Sequence, residues 1–373
     1  MSRSIRLVSA IALLTVAGLG LAGCSASASS SDNAASAKAS KAESLKDFGT
    51  LDELAAAAKA EGKLNVIALP RDWANYGNII DAFSKKYGIK VNELQPNGSS
   101  ADEIAAAKNN KGLDTAPDVF NIGDTIANSS EKYLAVYRNQ AWDEVDPSLK
   151  DADGHFIAGE GGFLSIGYDS AKVPEPKTFK DLLGSDYKGL AISGDPTKNA
   201  PGLAAVGLAT LQGGGTLDNF QPGIDFFGKL NKAGNLISVQ PSSATVVSGE
   251  TKLIISYDYS NVAYGRDLPT WKVTIPEGTG YGSFLYQAIN KDAPHPAAAR
   301  LWQEFLYQAD QQNQWIKSGA RSPIEAALVK AGTVDKAALA GLPAAPAKYV
   351  IPTIEQSKKA GELVATNWAT AVG

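Results

Sequence analysis

Three short apolar runs, Leu64 to Leu69, Ile89 to Leu94 and Pro117 to Ile122, are separated by segments with helical spacing. Between the first two, Ile79, Ile80, Phe83 and Tyr87 recur at the period of an amphipathic helix, and Gly88 follows as a stop. Thr50 and Glu53 fit a capping box ahead of an alanine-rich run that ends at Gly62. Ser100 and Glu103 fit another, opening a helix to about Asn110. Such alternation predicts a parallel sheet covered by helices, hence an α/β fold.

The middle of the chain repeats the logic. Gly162 to Tyr168, Leu190 to Ser193 and Lys252 to Tyr257 read as strands. Thr178 to Leu183, Gly202 to Leu211 and Ile224 to Ala233 read as helices, as does a long segment from Pro294 to Lys317 and the tail from Thr353 to Ala371. A chain of 373 residues exceeds what one usual core holds together and suits two lobes.

Cys24 is the single cysteine, so no intramolecular disulfide is available and packing must hold the fold. It ends Leu21-Ala22-Gly23-Cys24, after Arg3, Arg6 and an apolar run from Leu7 to Ala22 that is too short for a membrane span. This arrangement resembles a bacterial lipoprotein signal. The resemblance implies a leader over 1–23, cleavage before Cys24 and acylation of its thiol. The Ser/Ala-rich stretch that follows reads, within 24–49, as a flexible tether.

The formal net charge is −4, and loss of Arg3 and Arg6 with the leader makes it more negative by two. An acidic chain without a basic face argues against nucleic acid as a partner. Only His155 and His295 are present, which excludes a histidine-rich metal site. Both read as surface turn residues. No Gly-x-Ser-x-Gly turn, His-Glu-x-x-His or phosphate loop occurs, so an extracellular enzyme is the weaker class of reading.

Four stretches carry a family resemblance: Leu64 to Trp73 with Tyr76, Ala116 to Asp124, Tyr187 to Thr197, and Ala288 to Ala299 with Trp302 to Leu306. In order and spacing they resemble type II solute-binding proteins of ABC importers, in the branch of spermidine/putrescine, ferric-ion, thiamine and phosphonate binders. The resemblance implies a two-lobed periplasmic-binding-protein-like fold, with parallel-rich sheets flanked by helices and a ligand cleft between the lobes. Lobe 1 would comprise 50–164 and 280–324, and lobe 2 would comprise 165–279 and 325–373. A monomer is expected that takes a small solute to a membrane permease, without catalysis, cofactor or bound metal.

Loops at the carboxyl ends of parallel strands face a shared crevice, which selects the residues after each strand. After the first come Arg71, Asp72, Trp73 and Tyr76, with the Trp-x-x-Tyr spacing of polyamine binders. Aromatic faces attract ammonium groups, though Trp73 also reads as a core ring. Asp124 and Thr125 follow the third strand, where the acid either meets an amine or caps a helix. Asp195, Thr197 and Asn199 precede a helix whose start also suits phosphate or carboxylate. Lys198 and Asn199 stand where polyamine binders carry a second acid. Tyr257, Asp258 and Tyr259 end a strand near the hinge, and Tyr281 and Ser283 lie at the second crossing. The leading expectation is a cationic amine such as a polyamine, with ferric ion or an organophosphonate as alternatives.

Overall fold

The computed structural model describes residues 26–373. The leader and Cys24 lie outside the described residues. Among the described residues, ten strands form two sheets. β1 (Lys63–Ile67) and β2 (Lys90–Leu94) pair in parallel. The larger sheet contains β3 (Val119–Gly123), β4 (Leu134–Ala135), β5 (Phe156–Asp169), β6 (Leu190–Ile192), β7 (Leu253–Tyr257), β8 (Trp271–Thr274), β9 (Thr279–Asn290) and β10 (Lys348–Val350).

The expected parallel-rich sheet is corrected to a mixed one. β6–β7 and β9–β10 are parallel, whereas β5 pairs antiparallel with β7, β8 and β9, and β3 and β4 pair antiparallel with β9. The cause is the pair of long strands β5 and β9, which run in opposite directions through both lobes. β9 escapes a sequence reading because glycines and polar residues interrupt its apolar pattern.

Two hydrophobic cores define the lobes. The first gathers Leu54, Ile79, Phe83, Phe120, Trp302 and Trp315, and the second gathers Leu164, Leu190, Phe220, Phe227, Leu253 and Val364. β5 passes from one core to the other between Phe163 and Leu164, and β9 does so between Tyr281 and Phe284. At this crossing the backbones approach too closely for side chains. A Cβ on Gly161 would stand 2.3 Å from the Phe284 ring, and one on Gly162 would stand 2.3 Å from Asp258 Oδ1.

The C-terminal assignment differs from the sequence expectation. Leu328 and Val334 are buried in the first core, so the segment from 325 packs with lobe 1. The chain enters lobe 2 only after β10, where the helix Ile354–Val372 buries Ala360 and Val364 against the second core.

Local signals explain most helix ends. The Thr50–Glu53 capping box forms, and Gly62 and Gly88 close their helices in the left-handed conformation. The second box uses Ser99 and Asp102, one residue before the expected pair. The segment 294–317 is two helices, Pro296–Leu306 and Ala309–Ser318. At the break, Tyr307 Oη donates to the Ala158 carbonyl at 2.6 Å, and Gln312 Nε2 satisfies the Leu306 carbonyl at 2.8 Å.

Part of the expected tether is ordered. Residues Ala26–Lys41 are helical, Ala39 and Ala42 are buried, and Arg300 Nε donates to the Ala42 carbonyl at 2.9 Å. Small alanine side chains let this helix approach its neighbours closely, which composition alone does not reveal. Among the described residues, no helix is long and apolar enough to cross a membrane.

Candidate functional site

A cleft of about 510 Å³ lies where the two cores meet. The end of β3 and the turn after it contribute Gly123 and Asp124, and the end of β7 contributes Tyr257. β9 supplies Tyr281 and Ser283 at its crossing, while the loop before the helix Ala200–Gln212 supplies Thr197, Lys198 and Asn199. The structure thus brings together Asp124, Thr197, Asn199, Tyr257, Tyr281 and Ser283 from separate parts of the sequence. Lys198, Ile351, Pro352, Ser357 and Gly361 also line the cleft and were not among the expected ligand-binding residues. The last four come from the C-terminal arm, which carries no strand-end signal of the kind that found the others.

Asp124 is half-buried at the first position of the helix Asp124–Ser129, and Asn128 Nδ2 donates to its Oδ1 at 2.9 Å. Burial raises its pKa, and the Asn128 hydrogen bond opposes that shift. Thr125 follows Asp124 in the same helix. Burial pushes the Tyr257 phenol up to about 12, opposed by a hydrogen bond with Ser283. Burial also raises Tyr281, so both rings stay protonated near neutral pH and present an O–H dipole. The Asn199 side chain makes no capping bond at the start of its helix.

Other sequence candidates stand elsewhere. Arg71 lies on the lobe 1 surface, paired with Asp81 at 2.7 Å and Glu93 at 2.8 Å, and Asp72 is exposed beside it. Their strand ends at Ile67, so the intervening turn carries them out of the cleft. Tyr76 is fully buried, donating to Glu160 Oε2 at 2.8 Å. Trp73 and Tyr259 stand in a second row: Tyr259 stacks on Tyr257 with centroids 5.4 Å apart, and Trp73 meets Tyr259 edge-on at 5.2 Å.

Asp258 is buried in an ion pair with Arg321 at 2.8 Å. It also accepts from the Phe163 and Tyr259 backbone amides. Fully buried and held by these three partners, it acts as a structural clamp at the crossing. Asp195 accepts from the Thr197 amide and hydroxyl and pairs with Lys198 at 3.0 Å. Those Thr197 bonds, helped by Lys198, lower its pKa to about 2. It shapes the loop and does not line the cleft. The histidines are also partnered: His155 binds Asp151, and His295, expected at the surface, is buried between Asp118 and Asp114.

The fold matches solved structures well beyond what their sequences suggest. It is similar to an extracellular solute-binding protein from Bordetella parapertussis, with a TM-score of 0.68 and 15% identity over 84% of this chain and 100% of that one. It is similar to the spermidine/putrescine ABC transporter substrate-binding protein of Streptococcus pneumoniae, with a TM-score of 0.66 and 15% identity over 83% and 99% of the two chains. It is also similar to the ferric binding protein of Campylobacter jejuni, with a TM-score of 0.60 and 17% identity over 83% and 99%. No curated protein sequence matches. Residues 118–345, more than half the sequence and the part that builds the crossing strands and most of both cleft walls, match the family described as bacterial extracellular solute-binding protein, and the chain belongs to that family.

Proposed function

We propose that this protein is the capture subunit of an ABC importer, taking a small cationic amine into the interlobe cleft and delivering it to a membrane permease. One observation carries the amine: Asp124 is the carboxylate lining the cleft among the described residues, and it lies with the buried Tyr257 and Tyr281 rings. Such rings attract an ammonium group by about 0.5–2 kcal/mol, and the carboxylate adds a charge-assisted hydrogen bond. With Asp195 and Asp258 engaged elsewhere, the cleft offers one anionic end. A solute with one ammonium group and a polar remainder fits better than a long diamine.

A second reading keeps one observation of its own. Lys198, Thr197 and the uncapped helix start at Asn199 face the same cleft and suit a phosphonate. Ferric ion is less well matched, since Tyr259 stacks behind Tyr257 and does not join it in the cleft lining. No covalent chemistry is proposed, as both histidines are engaged by carboxylates with no nucleophile between them.

The Leu21-Ala22-Gly23-Cys24 signal supports an extracytoplasmic lipoprotein tethered near its transporter, and the protein is proposed to work there as a monomer. A thermal-shift screen against amines, phosphonates and ferric citrate tests the solute. Ligand at 100 times its Kd adds about 2.7 kcal/mol of stability. An amine shift abolished by Asp124→Asn supports the reading, and a response to phosphonate or ferric ion alone overturns it.

A further inference from the structure

The end of lobe 1 away from the cleft gathers lysines around a separate cavity of about 260 Å³. Its lining includes Lys108, Lys111, Lys132, Tyr133, Lys291 and Asp292. Lys108 Nζ lies 4.6 Å and Lys132 Nζ 5.2 Å from the centre of the Tyr133 ring, so the half-buried ring forms a floor between two ammonium groups. Lys291 is fixed beside it by its backbone amide, which donates to the Tyr133 carbonyl at 2.8 Å. Acids nearby are largely engaged: Asp292 pairs with Lys111 at 2.9 Å, and Asp114 pairs with Lys63 and His295. No carboxylate pairs with Lys108, Lys132 or Lys291 among the described residues. In a chain of net charge −4, this is a local concentration of uncompensated positive charge.

We infer that this cavity binds a phosphate-bearing group, supplied by the headgroups of an anionic phospholipid surface. Its size suits one headgroup, and its lysines match the charge of a phosphodiester. A tyrosine among lysines also suits a membrane interface.

The path of the N-terminal helix supplies a second, independent argument. Ser36 Oγ donates to Glu61 Oε1, whose carboxylate accepts from the Ala297 and Ala298 amides at the start of the helix Pro296–Leu306. Ser40 and Ala42 bond Arg300, further along that helix. The helix Ala26–Lys41 therefore enters from beyond the end holding His295, Asp114 and the Lys111–Asp292 pair. Its ten residues before Ser36 extend about 15 Å past that end. The chain reaches lobe 1 from the side where the lysines face outward, and the solute cleft lies at the opposite end of β3. Contact with a membrane at this end leaves the cleft open.

Residues 26–373 contain both cores and all ten strands, so they fold without the leader and carry no cysteine to acylate. This segment is expected to co-sediment with vesicles of phosphatidylglycerol and phosphatidylcholine, but not with phosphatidylcholine alone. Rising salt should release it. Combining Lys108→Glu, Lys132→Glu and Lys291→Glu should weaken binding on the order of a hundredfold, at roughly fivefold per lysine near an anionic surface. Lys180→Glu with Lys229→Glu, both exposed on lobe 2, should bind as the parent does. Unchanged thermal unfolding confirms that both variants fold. Failure of the parent to bind anionic vesicles, or equal loss in the two variants, overturns the site. Displacement by inorganic phosphate at matched ionic strength would assign the cavity to free phosphate and overturn the membrane source.

Discussion

The indole Nε1 of Trp73 donates to Glu160 Oε1 at 3.2 Å, joining the first loop of lobe 1 to the strand that crosses between lobes. Glu160 is buried and also accepts from Tyr76 Oη and Asn121 Nδ2, each at 2.8 Å. Burial raises its pKa, and these donors oppose the shift. The same indole meets Tyr259 edge-on, and Tyr259 stacks on Tyr257 in the cleft wall. Trp73 therefore supports the cleft from behind.

That position predicts a structural cost larger than a binding cost. Trp73→Phe keeps a ring against Tyr259 but removes a donor to a buried acid, at about 1.5–3 kcal/mol. Trp73→Ala should cost about 3 kcal/mol or more, because the ring contacts go as well. Urea unfolding measures both. If Trp73→Phe unfolds like the parent while ligand affinity collapses, the ring is a contact residue and this assignment fails.

Glu103 gives a pH signature. It is buried, its Oε2 accepts from the Asn121 amide at 2.9 Å, and burial raises its pKa from 4.5 to about 8. The folded protein therefore holds a proton that the unfolded chain releases near 4.5. Stability from this group is fully present below that pH and declines as pH rises toward 8, at no more than about 1.4 kcal/mol per pH unit. Glu103→Gln retains an acceptor without the titration. Thermal melts of the two proteins across this window should diverge, with the parent losing stability faster as pH rises. Parallel curves would mean that Glu103 does not titrate there.

Arg321 is buried between Asp258 at 2.8 Å and Glu325 at 3.6 Å, fastening the start of the helix Asp258–Tyr264 to the segment after Ser318. Burial raises the Asp258 pKa, opposed by Arg321. Asp258→Ala should cost about 3 kcal/mol, since it removes the nearer carboxylate from a buried guanidinium and leaves it only Glu325 at 3.6 Å. Adding Arg321→Met should recover much of the loss. Chemical denaturation of the single and double variants measures the coupling, and additive losses would show that the two charges do not depend on each other.

The sequence made the first three strands, their helices and the capping signals legible, because each rests on contacts within a few residues. It also singled out Asp124, Tyr257, Tyr281 and Ser283 from strand ends and crossings, and these residues line the cleft together. It could not separate Asp258 from a ligand group, because the neutralising Arg321 lies 63 residues away. Arg71 was misplaced for a similar reason: Asp81 and Glu93 draw it outward. The C-terminal arm reaches the cleft through tertiary packing alone, and nothing in its local pattern announces that role.

Gly361 on that arm offers the sharpest test of the cleft. It lies within the helix Ile354–Val372 and lines the cleft with Ser357, one turn earlier. A Cβ built there meets no atom within 4 Å. Glycine inside a helix costs about 1 kcal/mol relative to alanine, so Gly361→Ala should raise Tm or leave it unchanged. Gly361→Phe should also fold, with its ring entering the 510 Å³ cleft and competing with solute. Calorimetric titration with the amine that gives the largest thermal shift should show weaker binding to the phenylalanine variant and little change for alanine. Unfolding of the alanine variant, or undiminished binding by the phenylalanine variant, would place Gly361 away from the solute.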